Sequence, residues 1–309
     1  MRIAIVGTGA LGSVLGGLLL AAGQDVFLVE RDAAHVELIR KQGLSMEGVS
    51  GERVLHPPIS TDSRDAGTAD LVLVLVKAYD TEGATSTVEQ LLGSDGAVLT
   101  LQNGVGNHEI LDRAFPGRVM LGTTTIGALA LAPGKVRHTG FGVTHLGEAD
   151  GSLSERAQRA AEALRSMSAG DVHVTDNAVG CVWSKLLINA AINAPATLLR
   201  VRNGDLPCTQ AGKELIHEII AESLRIVQAK GVSLISDDPE GRVLAVCQAT
   251  AGNICSMFQD ILAGRRTEID FINGALAREG DAAGIPTPVN LTLARLISAL
   301  ESTGTVRVP

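Results

Sequence analysis

The chain has 309 residues, 45% apolar and 19% charged, which is enough apolar material for two ordinary globular domains and too much for a disordered chain. Its formal charge of −8 excludes a general nucleic-acid binder, which needs an excess of cations to neutralise phosphate, although a few local cations would still hold one anionic metabolite. With aromatics at 2% and 35 glycines, the core must come from Leu, Val, Ile and Ala, a mixture that suits buried parallel strands covered by helices.

At the N-terminus, Ile3–Gly23 is uncharged and superficially resembles a secretory leader. Its β-branched start and six glycines instead read as strand, turn and helix, with strand Ile3–Val6 and a helix from Gly12 to Ala22. A second strand covers Asp25–Glu30. Leu71–Val76 and Ala97–Leu101 are continuous apolar runs, as expected of strands buried on both faces. Three short β-prone pieces, Val119–Ile126, Val136–Thr139 and Val143–Leu146, are expected to extend the same sheet with antiparallel strands. An amphipathic helix over Leu153–Met167 and a last strand at Asp171–Val174 follow. From Ala178 the pattern is helical: segments near 178–199, 212–230, 239–263 and 266–283 keep a 3.6-residue period, with Gly231, Gly264 and Gly284 as stops. The expected architecture is α/β, a Rossmann-type doubly wound sheet over residues 1–175 and an all-α domain over 176–309. Cys181, Cys208, Cys247 and Cys255 lack paired metal-site spacing and read as reduced core thiols, so no metal site is expected.

The segment Gly7-Thr8-Gly9-Ala10-Leu11-Gly12 is a GxGxxG turn between a strand and a helix. Gly7 suits the tight turn, Gly9 a close approach to pyrophosphate, and Gly12 close helix–strand packing. Glu30 ends the next strand about 20 residues on, the position of a ribose-binding carboxylate. Glu30 favours NAD, whereas the adjacent Arg31 favours the 2′-phosphate of NADP or is a solvated surface charge. Lys77 ends an apolar strand, where it either assists a phosphate or is simply solvated. Asn103, in Gln102-Asn103-Gly104, either bonds a ligand or forms a turn.

In the helical half, Lys185, Asn189 and Asn193 recur every four residues on a helix that is otherwise apolar almost all round. Buried amides need partners and a buried ammonium needs compensation, so the stripe either lines a ligand site or faces solvent or another helix.

The pieces GTGALG, LVLVLVKAYDT, QNGVGN, GTTTIGALA, VWSKLLINAAIN, RNGDL, SMFQDILAGRRTEIDFING and GIPTP resemble the ketopantoate reductase (2-dehydropantoate 2-reductase) family over essentially the full length. The resemblance implies reduction of 2-dehydropantoate to pantoate, a step toward pantothenate and coenzyme A, with Lys185 as catalytic general acid. It implies substrate-binding roles for Asn189, Asn193, Asn203 and Ser256. It places Asn103, Ala128 and Glu268 at the cofactor, with Arg31 and Lys77 on the phosphate of NADP. Glu30 departs from that last expectation and keeps NAD open. Glu268 alternatively pairs with Arg265 on the surface. A different branched 2-oxo acid as substrate, or a non-catalytic nicotinamide-binding sensor, are the competing readings. The expected setting is cytoplasmic, without membrane or nucleic-acid partners; a homodimer is compatible with the sequence, which carries no signature of oligomeric state.

Overall fold

The first strand explains the layering. Residues of β1 (Arg2–Val6) alternate between two cores: Ile3 and Ile5 join one, Ala4 and Val6 the other. A strand apolar on both faces needs a helix on each side, and the chain supplies them. In the computed structural model, which describes residues 1–303, α1 (Ala10–Ala21) buries Val14, Leu15, Leu18 and Leu19 in the first core. On the other face α3 (Thr81–Leu91) and α4 (Asn107–Ala114) contribute Ala84, Val88, Leu91 and Leu111 to the second.

The remaining elements of this half are β2 (Asp25–Val29), α2 (Ala33–Gln42), β3 (Leu44–Gly48), β4 (Arg53–Leu55), β5 (Ile59–Ser60), β6 (Ala69–Val74) and β7 (Leu92–Thr100). After these come β8 (Val119–Thr124), β9 (Gly127–Ala132), β10 (Lys135–Gly140), β11 (Thr144–Gly147), α5 (Glu155–Arg165) and β12 (Val172–Val174). The main sheet runs β12-β11-β8-β7-β6-β1-β2-β5. From β5 to β8 every pairing is parallel, with Ile5 opposite both Leu28 and Leu73. The order reverses at β1, whose neighbours β2 and β6 lie on opposite sides, and ligands of such sheets bind at the carboxyl ends of the strands flanking this reversal.

One expectation is corrected here. The β-prone pieces between 119 and 147 do not all extend the main sheet: β8 joins it parallel to β7 and β11 antiparallel to β8, but β10 leaves it. With β9, β3 and β4 it forms a separate four-stranded sheet, in which β10 pairs parallel to β3 and antiparallel to β9.

The chain divides into two compact units, Met1–Gln102 with Asn107–Val179, and Asn103–Gly106 with the chain from Gly180 onward. The turn 103–106 belongs to the helical unit because the Val105 N–H donates to the Phe271 carbonyl at 3.1 Å.

The helical part comprises α6 (Ala178–Leu199), α7 (Gln210–Ala229), α8 (Pro239–Ala249), α9 (Ser256–Leu262), α10 (Asn273–Ala282) and α11 (Pro288–Ser302). Gly231, Gly264 and Gly284 do end helices, each in left-handed backbone. Two expected helices are broken. The 239–263 stretch splits into α8 and α9, and 266–283 becomes a short 3-10 turn, Ile269–Phe271, before α10. α6 closes with the reciprocal bonds of a left-handed cap: Val201 N–H to the Ala196 carbonyl, 3.0 Å, and Arg200 N–H to Thr197, 3.3 Å. The left-handed residue is Arg200, φ 57°, where glycine is the usual choice and a side chain costs about 1 kcal/mol. Cys208 is exposed rather than in the core, and all four cysteines are free.

A buried polar chain crosses this unit. The Glu222 carboxylate accepts from the Val289 and Asn290 N–H groups and from Asn290 Nδ2, at 2.8, 3.0 and 2.8 Å. Asn273 Nδ2 then donates to Asn290 Oδ1 and to the Ala190 carbonyl of α6. Deleting Glu222 leaves two buried donors and one half-buried donor without this acceptor. Glu222→Ala is expected to lower unfolding stability by about 3 kcal/mol in denaturant titration; an unchanged midpoint would show that the network carries no stability.

Candidate functional site

In the sheet-bearing unit, the glycine turn is shaped by contacts that exclude side chains. Gly7 has φ 100°, and a Cβ there would come within 2.7 Å of the Val76 backbone nitrogen; one at Gly12 would run into the Gly7 carbonyl oxygen. Gly9 is different: a Cβ there would meet nothing within 4 Å. No side chain caps the α1 N-terminus that Gly9 begins. Open space beside uncapped helix N–H groups suits a dinucleotide's pyrophosphate, with the half-buried Ala10 and Leu11 in the first helical turn.

Thr8 is buried and fixes the neighbouring carboxylate. Its N–H and Oγ1 donate to Glu30 Oε2 at 3.0 and 2.7 Å, and the Asp32 N–H donates to Oε1 at 3.1 Å. Burial raises the Glu30 carboxyl's pKa, but the bonds from Thr8 outweigh it and hold the group below its ordinary range. Glu30 is therefore a fixed anion. Arg31 turns elsewhere: its Nη1 pairs with Asp80 Oδ1 at 2.8 Å, and its side chain is 78% exposed. Asp80 ends the short 3-10 turn Ala78–Asp80 that follows the half-buried Lys77. Nothing in the sequence singles out Asp80, because its partner lies 49 residues away. The turn, Glu30 and Lys77 follow β1, β2 and β6, the strands at the order reversal. Ala128 is instead on β9 of the small sheet, opposite His138.

In the helical unit, α6 carries Lys185, Asn189 and Asn193 on one face; the first two are half-buried and Asn193 is buried. Burial pushes the Lys185 ammonium down to about 8, while the Glu268 carboxylate pulls the other way. Glu268 is buried just ahead of the turn Ile269–Phe271 and accepts from Asn103 Nδ2 at 3.4 Å. Lys185 and the loop amide of Asn103 thus both interact with one carboxylate that is distant from them in sequence. The alternative pairing of Glu268 with Arg265 is not formed, since Arg265 Nε donates to Asp260 at 3.0 Å.

The other amide and hydroxyl positions sit on two segments that are bonded together. The Asn203 N–H donates to the Asn253 carbonyl at 3.0 Å and its Nδ2 to Thr250 Oγ1 at 2.9 Å, while its Oδ1 is buried with no hydrogen-bond donor among the described residues. Ser256 is exposed as the first residue of α9. Cys255 beside it places its thiol 3.6 Å from the Asn193 carbonyl and 3.5 Å from Thr197 Oγ1. These two positioning contacts carry no local sequence signal. The break between α8 and α9 creates this arrangement, which a single helix over 239–263 would not allow.

A lysine with this environment should titrate far below an exposed one. Methyl-lysine NMR is expected to give Lys185 a midpoint near 8; a midpoint above 10 would contradict the assignment of its surroundings.

The family model described as "Ketopantoate reductase PanE/ApbA" matches residues 3–151, and the companion "Ketopantoate reductase PanE/ApbA C terminal" matches 177–301. A 2-dehydropantoate 2-reductase of Halobacterium salinarum is 37% identical, the alignment covering 98% of this chain and all of the relative. Among solved structures, a PanE/ApbA family ketopantoate reductase from Ralstonia eutropha is 31% identical with a TM-score of 0.91, covering 99% of this chain and 100% of that one. A D-mandelate dehydrogenase in ternary structure with NADH and anilino(oxo)acetate is 29% identical with a TM-score of 0.91 and the same coverage. Among the described residues, no helix is long and apolar enough to cross a membrane.

Proposed function

The chain belongs to the ketopantoate reductase family, and on that premise we propose that it reduces the ketone of 2-dehydropantoate to pantoate with a nicotinamide cofactor. The observation that carries this reading is the family match over residues 3–151 and 177–301, and it is supported by Lys185 on α6, whose ammonium burial lowers to about 8 and Glu268 holds up. Such a group is still protonated at neutral pH and yet gives up its proton readily, as a general acid must.

The nicotinamide, when bound, supplies a hydride to the ketone carbon. The protein's share is to meet the charge that develops on oxygen. Lys185 donates a hydrogen bond to the carbonyl oxygen and then its Nζ proton to the nascent alkoxide. Glu268 keeps that proton on Lys185 until it is needed. Asn189 and Asn193 bind oxygen atoms of the substrate without adding charge, and Ser256 donates to the carboxylate. The buried, donorless Asn203 Oδ1 accepts from the substrate's hydroxyl, which relieves a group that is costly to leave unsatisfied. Gly7, Thr8, Gly9, Ala10, Leu11 and Gly12 form the cofactor turn, with Asn103 and Ala128 as further cofactor contacts. The chain acts on a small 2-oxo acid.

For the cofactor, the family resemblance implies NADP, but the local charges support NADH. A 2′-phosphate would face the fixed Glu30 anion, and the arginine that would greet it is already paired with Asp80. Wild-type protein is expected to show at least about tenfold higher kcat/KM with NADH than NADPH, and Glu30→Ala/Asp80→Ala to narrow the gap. Equal efficiency with both cofactors, unmoved by the double substitution, would return the assignment to NADP.

Lys185→Ala is expected to lower kcat with 2-dehydropantoate by about 10²–10⁴-fold while leaving cofactor affinity unchanged. A panel of branched and aryl 2-oxo acids run beside 2-dehydropantoate identifies the preferred substrate, and turnover of none of them would overturn the reductase reading.

A further inference from the structure

The cap of α6 keeps an arginine where the backbone favours glycine. Arg200 has φ 57°, and its guanidinium lies 5.5 Å from the Phe258 ring centroid. Glycine would serve the cap better, so what Arg200 adds at this position lies in its side chain.

Its surroundings say what that side chain faces. Phe258 is two residues beyond Ser256 on α9. Two residues along from Arg200, Arg202 Nη1 donates to the Gly252 carbonyl at 2.5 Å, and Asn203 bonds to Thr250 and Asn253. The segments 200–203 and 250–258 are thus tied together, and they bear two of the proposed substrate positions, Asn203 and Ser256. Asp205 is the nearby acid in sequence, and its carboxylate accepts from the Arg202 backbone N–H. Two exposed guanidiniums therefore flank these positions on a chain whose net charge of −8 repels anions.

We infer that Arg200, supported by Arg202, is an anion-steering residue that draws 2-oxo acid carboxylates toward the Asn203–Ser256 segments. It acts on encounter. Lys185 lies 15 residues earlier on α6, about 22 Å along the helix axis, too far for one small acid to touch both side chains while its ketone meets Nζ. The effect belongs to kcat/KM and to its salt dependence, because steering by exposed charges is screened within about 10 Å at 0.1 M salt. The inference rests on the 2-oxo acid reductase reading.

The test measures kcat/KM for a 2-oxo acid from low to high ionic strength in wild type, Arg200→Gly, Arg200→Gln and Arg200→Lys. Arg200→Gly relaxes the cap, so its melting temperature should hold or rise, which separates steering from loss of fold. At low salt, Arg200→Gly and Arg200→Gln are expected to lose about three- to tenfold in kcat/KM with kcat altered less than twofold, and the loss should fade as salt rises. Arg200→Lys should retain most of the wild-type rate, and an uncharged ester of the same oxo acid should show no dependence on residue 200. Identical rates and identical salt slopes in all four proteins would overturn the inference and leave Arg200 as a packing residue over Phe258. Absence of 2-oxo acid turnover by the wild type would instead remove the functional reading underneath.

Discussion

The proposed chemistry turns on keeping one ammonium charged on a helix whose other polar side chains are all neutral. Lys185 loses solvation on α6, and Glu268, arriving from a different segment, restores part of the preference for the protonated form. The two influences oppose each other: burial lowers the ammonium's pKa and the carboxylate raises it, which suits the group proposed as the acid. The fold serves this balance. Glu268 is positioned by the turn Ile269–Phe271 and by the neighbouring loop 103–106, whose Val105 N–H is fixed on the Phe271 carbonyl. The Glu222–Asn290–Asn273 chain reaches the α6 backbone at Ala190, next to Asn189.

The sheet-bearing unit solves a different electrostatic problem. The dinucleotide proposed to bind there would be held by backbone, and the two glycine positions that exclude a Cβ leave no alternative to a bare turn. The charged side chains around it are already committed, Glu30 to Thr8 and Arg31 to Asp80. On the NADH reading proposed above, these commitments set which ribose the turn favours, so that proposal rests on the partners of the conspicuous residues more than on the residues themselves.

Much of this was legible in the sequence where physics is local. The β1–turn–α1–β2 unit announces itself through periodicity and glycine spacing, and the Lys185–Asn189–Asn193 stripe follows from helix geometry once α6 is recognised. The small sheet was not legible: β3 and β10 alternate more and less buried positions as strands of any sheet do, but they pair across 90 residues (Ser45 with Lys135), and nothing local says which partner each takes. The interruption at 250–255 was missed because the 3.6-residue period continues through it, while the bonds from Asn203 and Arg202 that hold the loop open come from elsewhere in the chain. The Arg31–Asp80 pair and the contact of Cys255 with Asn193 are long-range in the same sense.

The most direct test of the central balance is the pH profile of kcat/KM for ketone reduction in wild type and in Glu268→Gln. A general acid must be protonated, so the wild-type rate should be level below about pH 8 and fall tenfold per unit above it. Removing the carboxylate's charge lowers the ammonium's pKa further, so the limb in Glu268→Gln should move to lower pH. A wild-type limb near 10.5, or one that Glu268→Gln leaves in place, would contradict the account.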